Sequence, residues 1–267
     1  MRSIAKLSLL FLLTTSLLLA DDEWCCDEFR PIPQGYIPAI GAEWSHVSRT
    51  RDGGTKQHGN YFGGRASFDR IARYKLYYGV QAAYGFSTLE GHQGSGAKIR
   101  SKFTTGQIEG SVGYTFQSKC FLNPWITPIL GYGYLYEKNA FKDPSPLHLT
   151  FTTRYQYVPF GILSGITVAE NFGVGLNVRL RWPYDPKCKV TGDEENEDST
   201  QLIEEKLGYR IEIPLLYATP VCCRSLLVGL TPFYELRHYG GKENHPFDFF
   251  ETKMRLYGVN LQILYQF

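Results

Sequence analysis

The sequence predicts an all-β chain: an antiparallel β-barrel that crosses a membrane with about ten strands, or twelve if the 150–167 or 183–205 region hides a further hairpin. Three observations predict it. Apolar and polar residues alternate with period two through ten segments. The links between those segments are short and long by turns. No apolar run beyond the first twenty residues approaches the roughly 20 residues that a spanning helix needs.

The final segment, 252–267, shows the pattern in full. Tyr257, Val259, Leu261, Ile263, Tyr265 and Phe267 share one face, and Gly258, Asn260, Gln262 and Gln266 share the other, with Leu256 and Leu264 as exceptions. At the opposite end, Arg2 and Lys6 precede an apolar stretch over 7–19, and Ala20 supplies a small residue before Asp21. This reads as a secretory signal peptide cleaved near Ala20. Residues 21–34 carry charges, Pro and a Cys pair without periodicity, and read as a short tail. The barrel domain is 35–267.

The strands follow in order. Segment 35–47 sets Tyr36, Pro38, Ile40, Ala42 and Trp44 against Ala39, Gly41, Glu43 and Ser45. Segment 59–69 is weaker, with Phe62, Ala66 and Phe68 against Gly63, Arg65 and Ser67. Segment 74–88 places Leu76, Tyr78, Val80, Ala82, Tyr84 and Phe86 opposite Lys75, Gly79, Gln81, Gly85 and Ser87. Segment 100–117 places Ile108, Val112, Tyr114 and Phe116 opposite Thr105, Gln107, Glu109 and Ser111. Segment 122–137 places Ile126, Leu130, Tyr132, Tyr134 and Tyr136 opposite Thr127, Gly131, Gly133 and Glu137. Segment 150–167 is ambiguous: Val158, Phe160, Ile162 and Ile166 share a face, but Tyr155, Tyr157 and Leu163 lie opposite, and a bulge would reconcile them. Segments 172–182, 206–218 and 225–239 alternate cleanly, with Arg179, Arg181, Arg210, Glu212, Glu235 and Arg237 on their polar faces.

Short links fall at 70–73, 118–121, 169–171 and 220–224. Long links fall at 48–58, 89–99, 138–149, 183–205 and 240–251. A soluble sandwich has no reason to sort its loops in this way. Tyr36, Phe68, Phe116, Tyr217 and Phe267 lie near the short-link ends, and Trp44, Phe86, Tyr136 and Trp182 near the long-link ends. Two aromatic belts are what a membrane with two interfaces produces.

With its signal peptide, sorted loops and terminal Tyr265–Phe267 pattern, the chain resembles the bacterial outer-membrane β-barrel proteins. The resemblance implies an outer-membrane location, both termini in the periplasm, outer-membrane lipid as surroundings, and a barrel assembly machinery that reads Tyr265 and Phe267.

The inward face carries Glu43, Arg65, Lys75, Gln107, Glu109, Arg179, Arg181, Arg210, Glu212, Glu235, Arg237, Asn260 and Gln262. Two readings stand. In the first these groups line a narrow pore, and the protein is a small porin-like channel for hydrophilic solutes or ions, with Arg179, Arg181, Arg210 and Arg237 setting selectivity. In the second they pair across a plugged lumen, and a structural or adhesive barrel acts through its surface loops and disulfide cross-links.

Catalysis is not expected. His58, His92, His148 and His245 lie in separate loops, and His238, three after Glu235, points to the other face of its strand. The acidic run Asp193, Glu194, Glu195, Glu197 and Asp198 reads as a solvated loop. No cofactor or metal is expected, since no ligand spacing is present. Removing residues 1–20 takes away Arg2 and Lys6 and leaves 26 Lys+Arg against 26 Asp+Glu, a neutrality that argues against nucleic acid as a partner. Of six cysteines, Cys25, Cys26, Cys120, Cys222 and Cys223 map to the tail and the short links, and Cys188 to a long one. In an oxidising compartment the five are candidates for disulfides within the chain or with other envelope proteins. Their placement is similar to that in the Cys-containing porins of chlamydia-like bacteria.

Overall fold

The computed structural model describes residues 33–118, 122–146, 148–192, 197–221, 224–241 and 251–267. The signal segment, most of the tail, Cys25, Cys26, Cys120, Cys222, Cys223 and Asp193, Glu194 and Glu195 of the acidic run lie outside the described residues.

Fourteen strands form ten staves of a closed antiparallel barrel. Seven staves are single strands: β1 (Gly35–Arg51), β2 (Thr55–Ile71), β3 (Leu76–His92), β6 (Trp125–Lys142), β7 (Thr150–Ala169), β13 (Arg224–Tyr239) and β14 (Thr252–Gln266). Three are interrupted: β4 (Lys98–Tyr114) with β5 (Phe116–Gln117), β8 (Phe172–Gly175) with β9 (Asn177–Thr191), and β10 (Ser199–Leu202), β11 (Gly208–Glu212) and β12 (Leu215–Val221). Proline explains one break. Pro214 has no N–H to give its neighbours, yet the register on both sides of it is unchanged. The ring closes where β14 pairs with β1, and the amide of Tyr36 and the carbonyl of Phe267 bond at 2.8 Å.

Following paired residues once round the wall gives the stagger. The path runs Tyr36, Arg70, Tyr78, Val112, Leu130, Phe160, Leu180, Tyr209, Leu236, Arg255 and returns to β1 at Ser48, twelve residues beyond its start. Ten staves with that stagger, at ordinary strand spacings, tilt by roughly 40° and enclose a backbone cylinder of roughly 10 Å radius. Long side chains from opposite walls therefore meet at the axis.

The outer wall is apolar. Ile40, Val80, Ile108, Leu130, Leu261 and Ile263 are exposed on it. Tyr36 stacks on Phe68 and Phe267 near the termini. Exposed Trp44, Phe62, Phe86 and Trp182 lie toward the other end. With the stagger taken into account the two belts stand roughly 25 Å apart, the height of the apolar band of a membrane barrel.

Two expectations change. Three of the five long links are largely continued strand: β1 and β2 meet through 52–54, β3 and β4 through 93–97, and the 183–205 region folds back as β9 and β10. That hairpin lengthens two existing staves and adds none to the ring, so the stave number is ten. The length sorting therefore reports hairpins that rise beyond the outer belt. In β7, a register shift does occur against β9 between Arg154 and Gln156, but pairing with β6 keeps one register throughout. Tyr155, Tyr157 and Leu163 point inward because the lumen contains apolar layers. The inner tyrosines Tyr61 and Tyr157 lie across Gly85 and Gly133, where a Cβ would run into their rings.

Candidate functional site

The twelve-residue stagger sets each stave about 1.2 residues from its neighbour. It carries charges scattered along the sequence to one height. Glu43 on β1, Arg65 on β2, Glu109 on β4, Arg179 and Arg181 on β9, Arg210 and Glu212 on β11 and Glu235 on β13 fall in a slab roughly 8 Å thick. Arg237 and Glu137 adjoin it on the side away from the termini. All ten are buried.

Arg210 is the hub. Its Nη2 reaches Glu43 at 2.9 Å, its Nε Glu212 at 2.8 Å and its Nη1 Glu235 at 2.7 Å, while its guanidinium lies 3.8 Å from the centre of the Phe233 ring. Glu212 also takes Arg65 at 2.8 Å and Arg179 at 3.0 Å. Glu235 takes Arg181 at 2.7 Å and Arg237 at 2.6 Å. Arg237 continues to Glu137 at 2.6 Å and to the Thr105 hydroxyl at 3.1 Å. Glu109 accepts from the Gln81 amide at 2.7 Å and the Tyr157 hydroxyl at 3.0 Å, with Arg179 and Arg181 at 3.5 and 3.6 Å. The Tyr239 hydroxyl donates to Glu137. Five guanidinium groups thus meet five carboxylates. Burial of such groups is tolerable only when each is paired; each here takes part in at least one hydrogen bond, while Arg65 Nε, Arg179 Nε and Arg181 Nε and Nη2 have no hydrogen-bond partner.

On the side away from the termini the lumen is filled by an apolar cluster that includes Tyr61, Phe103, Leu135, Tyr155, Tyr157, Tyr239, Met254 and Leu256. Cys188 belongs to this cluster as a buried free thiol, 3.7 Å from the Thr153 hydroxyl. On the terminus side a smaller cluster of Ile37, Ile71, Tyr77, Ile129 and Leu163 borders a cavity of about 130 Å³.

Nine of the ten charged residues assigned to the inward face therefore converge in one network. Asn260 is buried beside it, and Gln107 and Gln262 are half-buried. Lys75 is a correction: it stands in the turn before β3 and is exposed, because the inward alternation begins only at Tyr77. Glu137, Thr105, Tyr157 and Tyr239 complete the network and were not among the expected lumen residues. Period-two parity places Glu137 on the inward face of its strand, and nothing in the local sequence says that the stagger brings it beside Arg237. Tyr265 and Phe267 lie near each other at the terminus-side rim, with ring centres 6.0 Å apart. His238 bonds Glu251 at 2.7 Å on the outer side of β13, and His148 bonds Asp143 at 3.0 Å. Among the described residues, no three His, Cys, Asp or Glu side chains converge as metal ligands.

Neither a family model nor a curated protein matches the chain. Solved structures do match it in shape. The outer membrane protease OmpT of Escherichia coli aligns over 88% of this chain and 97% of its own, with a TM-score of 0.56 and 9% identity. The translocator domain of the autotransporter NalP from Neisseria meningitidis aligns over 100% and 97%, with a TM-score of 0.47 and 10% identity. At such identities the likeness concerns shape alone: the fold is that of bacterial outer-membrane β-barrel proteins.

Proposed function

We propose that the protein is a structural or adhesive outer-membrane barrel whose lumen is shut, and which acts through the hairpins that rise beyond its outer aromatic belt. One observation carries this reading over a porin-like channel. The ten-membered Arg–Glu layer spans a lumen of roughly 10 Å backbone radius, and an apolar cluster fills the space on one side of it. An ion crossing here would have to part buried ion pairs and then traverse packed aromatic side chains. The apolar outer band supports lipid as its surroundings, and the Phe267 edge supports delivery by a barrel assembly machinery. Disulfide links to other envelope proteins remain part of the proposal through Cys25, Cys26, Cys120, Cys222 and Cys223. The reading assigns no catalysis.

The test is conductance of the full chain refolded into a planar bilayer, with folding checked by heat-modifiable gel mobility. A silent membrane is the expected result. Steady ohmic steps from correctly folded protein refute the shut lumen and restore the channel, with reversal potentials then reporting whether Arg179, Arg181, Arg210 and Arg237 favour anions.

A further inference from the structure

We propose that the cavity on the terminus side of the charged layer binds a small uncharged molecule with a hydrogen-bonding head and an apolar body. The cavity, about 130 Å³, has room for roughly ten water positions or a ligand of about ten non-hydrogen atoms. Its wall changes character with depth. Near the termini it is bordered by buried Ile37, Ile71 and Leu163, with Trp125 and Leu264 packed against them. At the charged layer it is polar.

There Asn260 is 1% exposed, lines the cavity, and has no hydrogen-bond partner on either Nδ2 or Oδ1. Buried amides are ordinarily satisfied. A donor and an acceptor held side by side on one plane match another amide, or a hydroxyl that both gives and takes a hydrogen bond. Asn177, also lining the cavity, has a second unpartnered acceptor in its Oδ1.

The charged groups of the wall argue for a neutral head. Arg65 and Arg179 are engaged with Glu212, and Glu109 with Gln81 and Tyr157. The Asp69 carboxylate takes the Tyr77 hydroxyl at 2.6 Å. A charged ligand would enter a desolvated space in which the Arg and Glu charges already have ion-pair partners, whereas the Nε–H groups of Arg65 and Arg179, which have no hydrogen-bond partner, can still donate to a neutral acceptor. Water alone would satisfy Asn260, but it gains nothing from the apolar border. An amphiphile uses both.

Phenylacetamide, with ten non-hydrogen atoms, is a suitable probe. The full chain is placed in lipid nanodiscs, and binding is read by saturation-transfer NMR against empty nanodiscs. Phenylacetate and 2-phenylethylamine serve as charged analogues. The expected result is saturable binding of the amide, with either analogue at least tenfold weaker. Asn260→Leu should weaken the amide at least tenfold. Leu163→Trp, which fills the border and leaves Asn260 in place, should also abolish binding, so the test survives a failure of the first variant to fold. Absence of saturable amide binding, preference for a charged analogue, or amide binding unchanged in a folded variant each overturns the proposal.

Discussion

Arg210→Met tests the charged layer most directly. The variant keeps an unbranched side chain beside Phe233 and removes the positive charge. Its three carboxylate partners are not equally harmed. Glu212 keeps Arg65 and Arg179, and Glu235 keeps Arg181 and Arg237. Glu43 is left with Arg65 alone, at 3.8 Å. The cost is therefore close to that of one orphaned buried carboxylate, about 3–5 kcal/mol. At about 2–3 kcal/mol per molar of urea, a 4 kcal/mol loss lowers the unfolding midpoint by roughly 1.5 M. Glu43→Gln in the same chain removes the orphan and restores neutrality. The double variant should recover at least about 1.5 kcal/mol relative to additivity of the two single changes. The assay is equilibrium urea unfolding of the barrel in lipid vesicles, followed by tryptophan fluorescence and heat-modifiable mobility. A single-variant loss below about 1 kcal/mol, or a double variant no better than additive, refutes the claim that Arg210 neutralises Glu43 within a water-poor layer.

Three further outcomes are expected. Gly133→Ala drives a methyl group into the buried Tyr157 ring and should cost about 1–3 kcal/mol in the same assay, whereas Gly110→Ala meets nothing within 4 Å and should cost less than about 1 kcal/mol; equal losses would remove the steric explanation. Cys188 should resist maleimide in the folded barrel and react on unfolding, and mass-spectrometric detection of rapid labelling under folding conditions would contradict its burial. Glu251, beyond the outer belt, accepts from Lys253 and His238, and these partners hold its carboxyl down at about 2. Because the folded value lies below the ordinary one near 4.5, the stabilisation is present above pH 4.5 and is lost as the pH falls toward 2. Carboxyl NMR should find that low midpoint, and Lys253→Ala should raise it; a midpoint at the ordinary value would dissolve the clamp.

The wall was readable in the sequence because its physics is local. Lipid outside and side chains inside impose period two, and Tyr257 to Phe267 display it without help from the rest of the chain. The same locality explains what was missed. Where β1 and β2 rise beyond the outer belt, the solvent is polar outside and the core apolar inside, so 48–58 loses the membrane pattern and reads as a loop although it is strand. Tyr155 and Tyr157 read as a conflict because the inward face was assumed to be polar. The charged residues were identifiable one by one, but their partners were not. Arg210 and Glu43 are 167 positions apart, and only the stagger of the whole ring brings them together. Asn260 was legible as inward, while its lack of a partner depends on a cavity lined by all ten staves.

That same stagger couples the charged layer to completion of the ring. The hairpin of the eighth and ninth staves pairs Arg210, Glu212, Glu235 and Arg237 within itself, but the hydrogen-bonded partners of Glu43, Arg65, Arg181 and Glu137 lie on staves outside their own hairpins. Glu43 enters on the first stave, Arg65 on the second, and the hub Arg210 on the eighth. A sheet that has not yet curled shut leaves these groups facing one another's absence, and a stave slipped by two residues keeps its oily side outward yet moves its charge out of the slab. Hydrophobic patterning alone would tolerate such a slip. The ionic slab does not, so it acts as an alignment key: of the many two-residue offsets that lipid would accept, it rewards the one in which the seven staves that carry its charges arrive at matching heights.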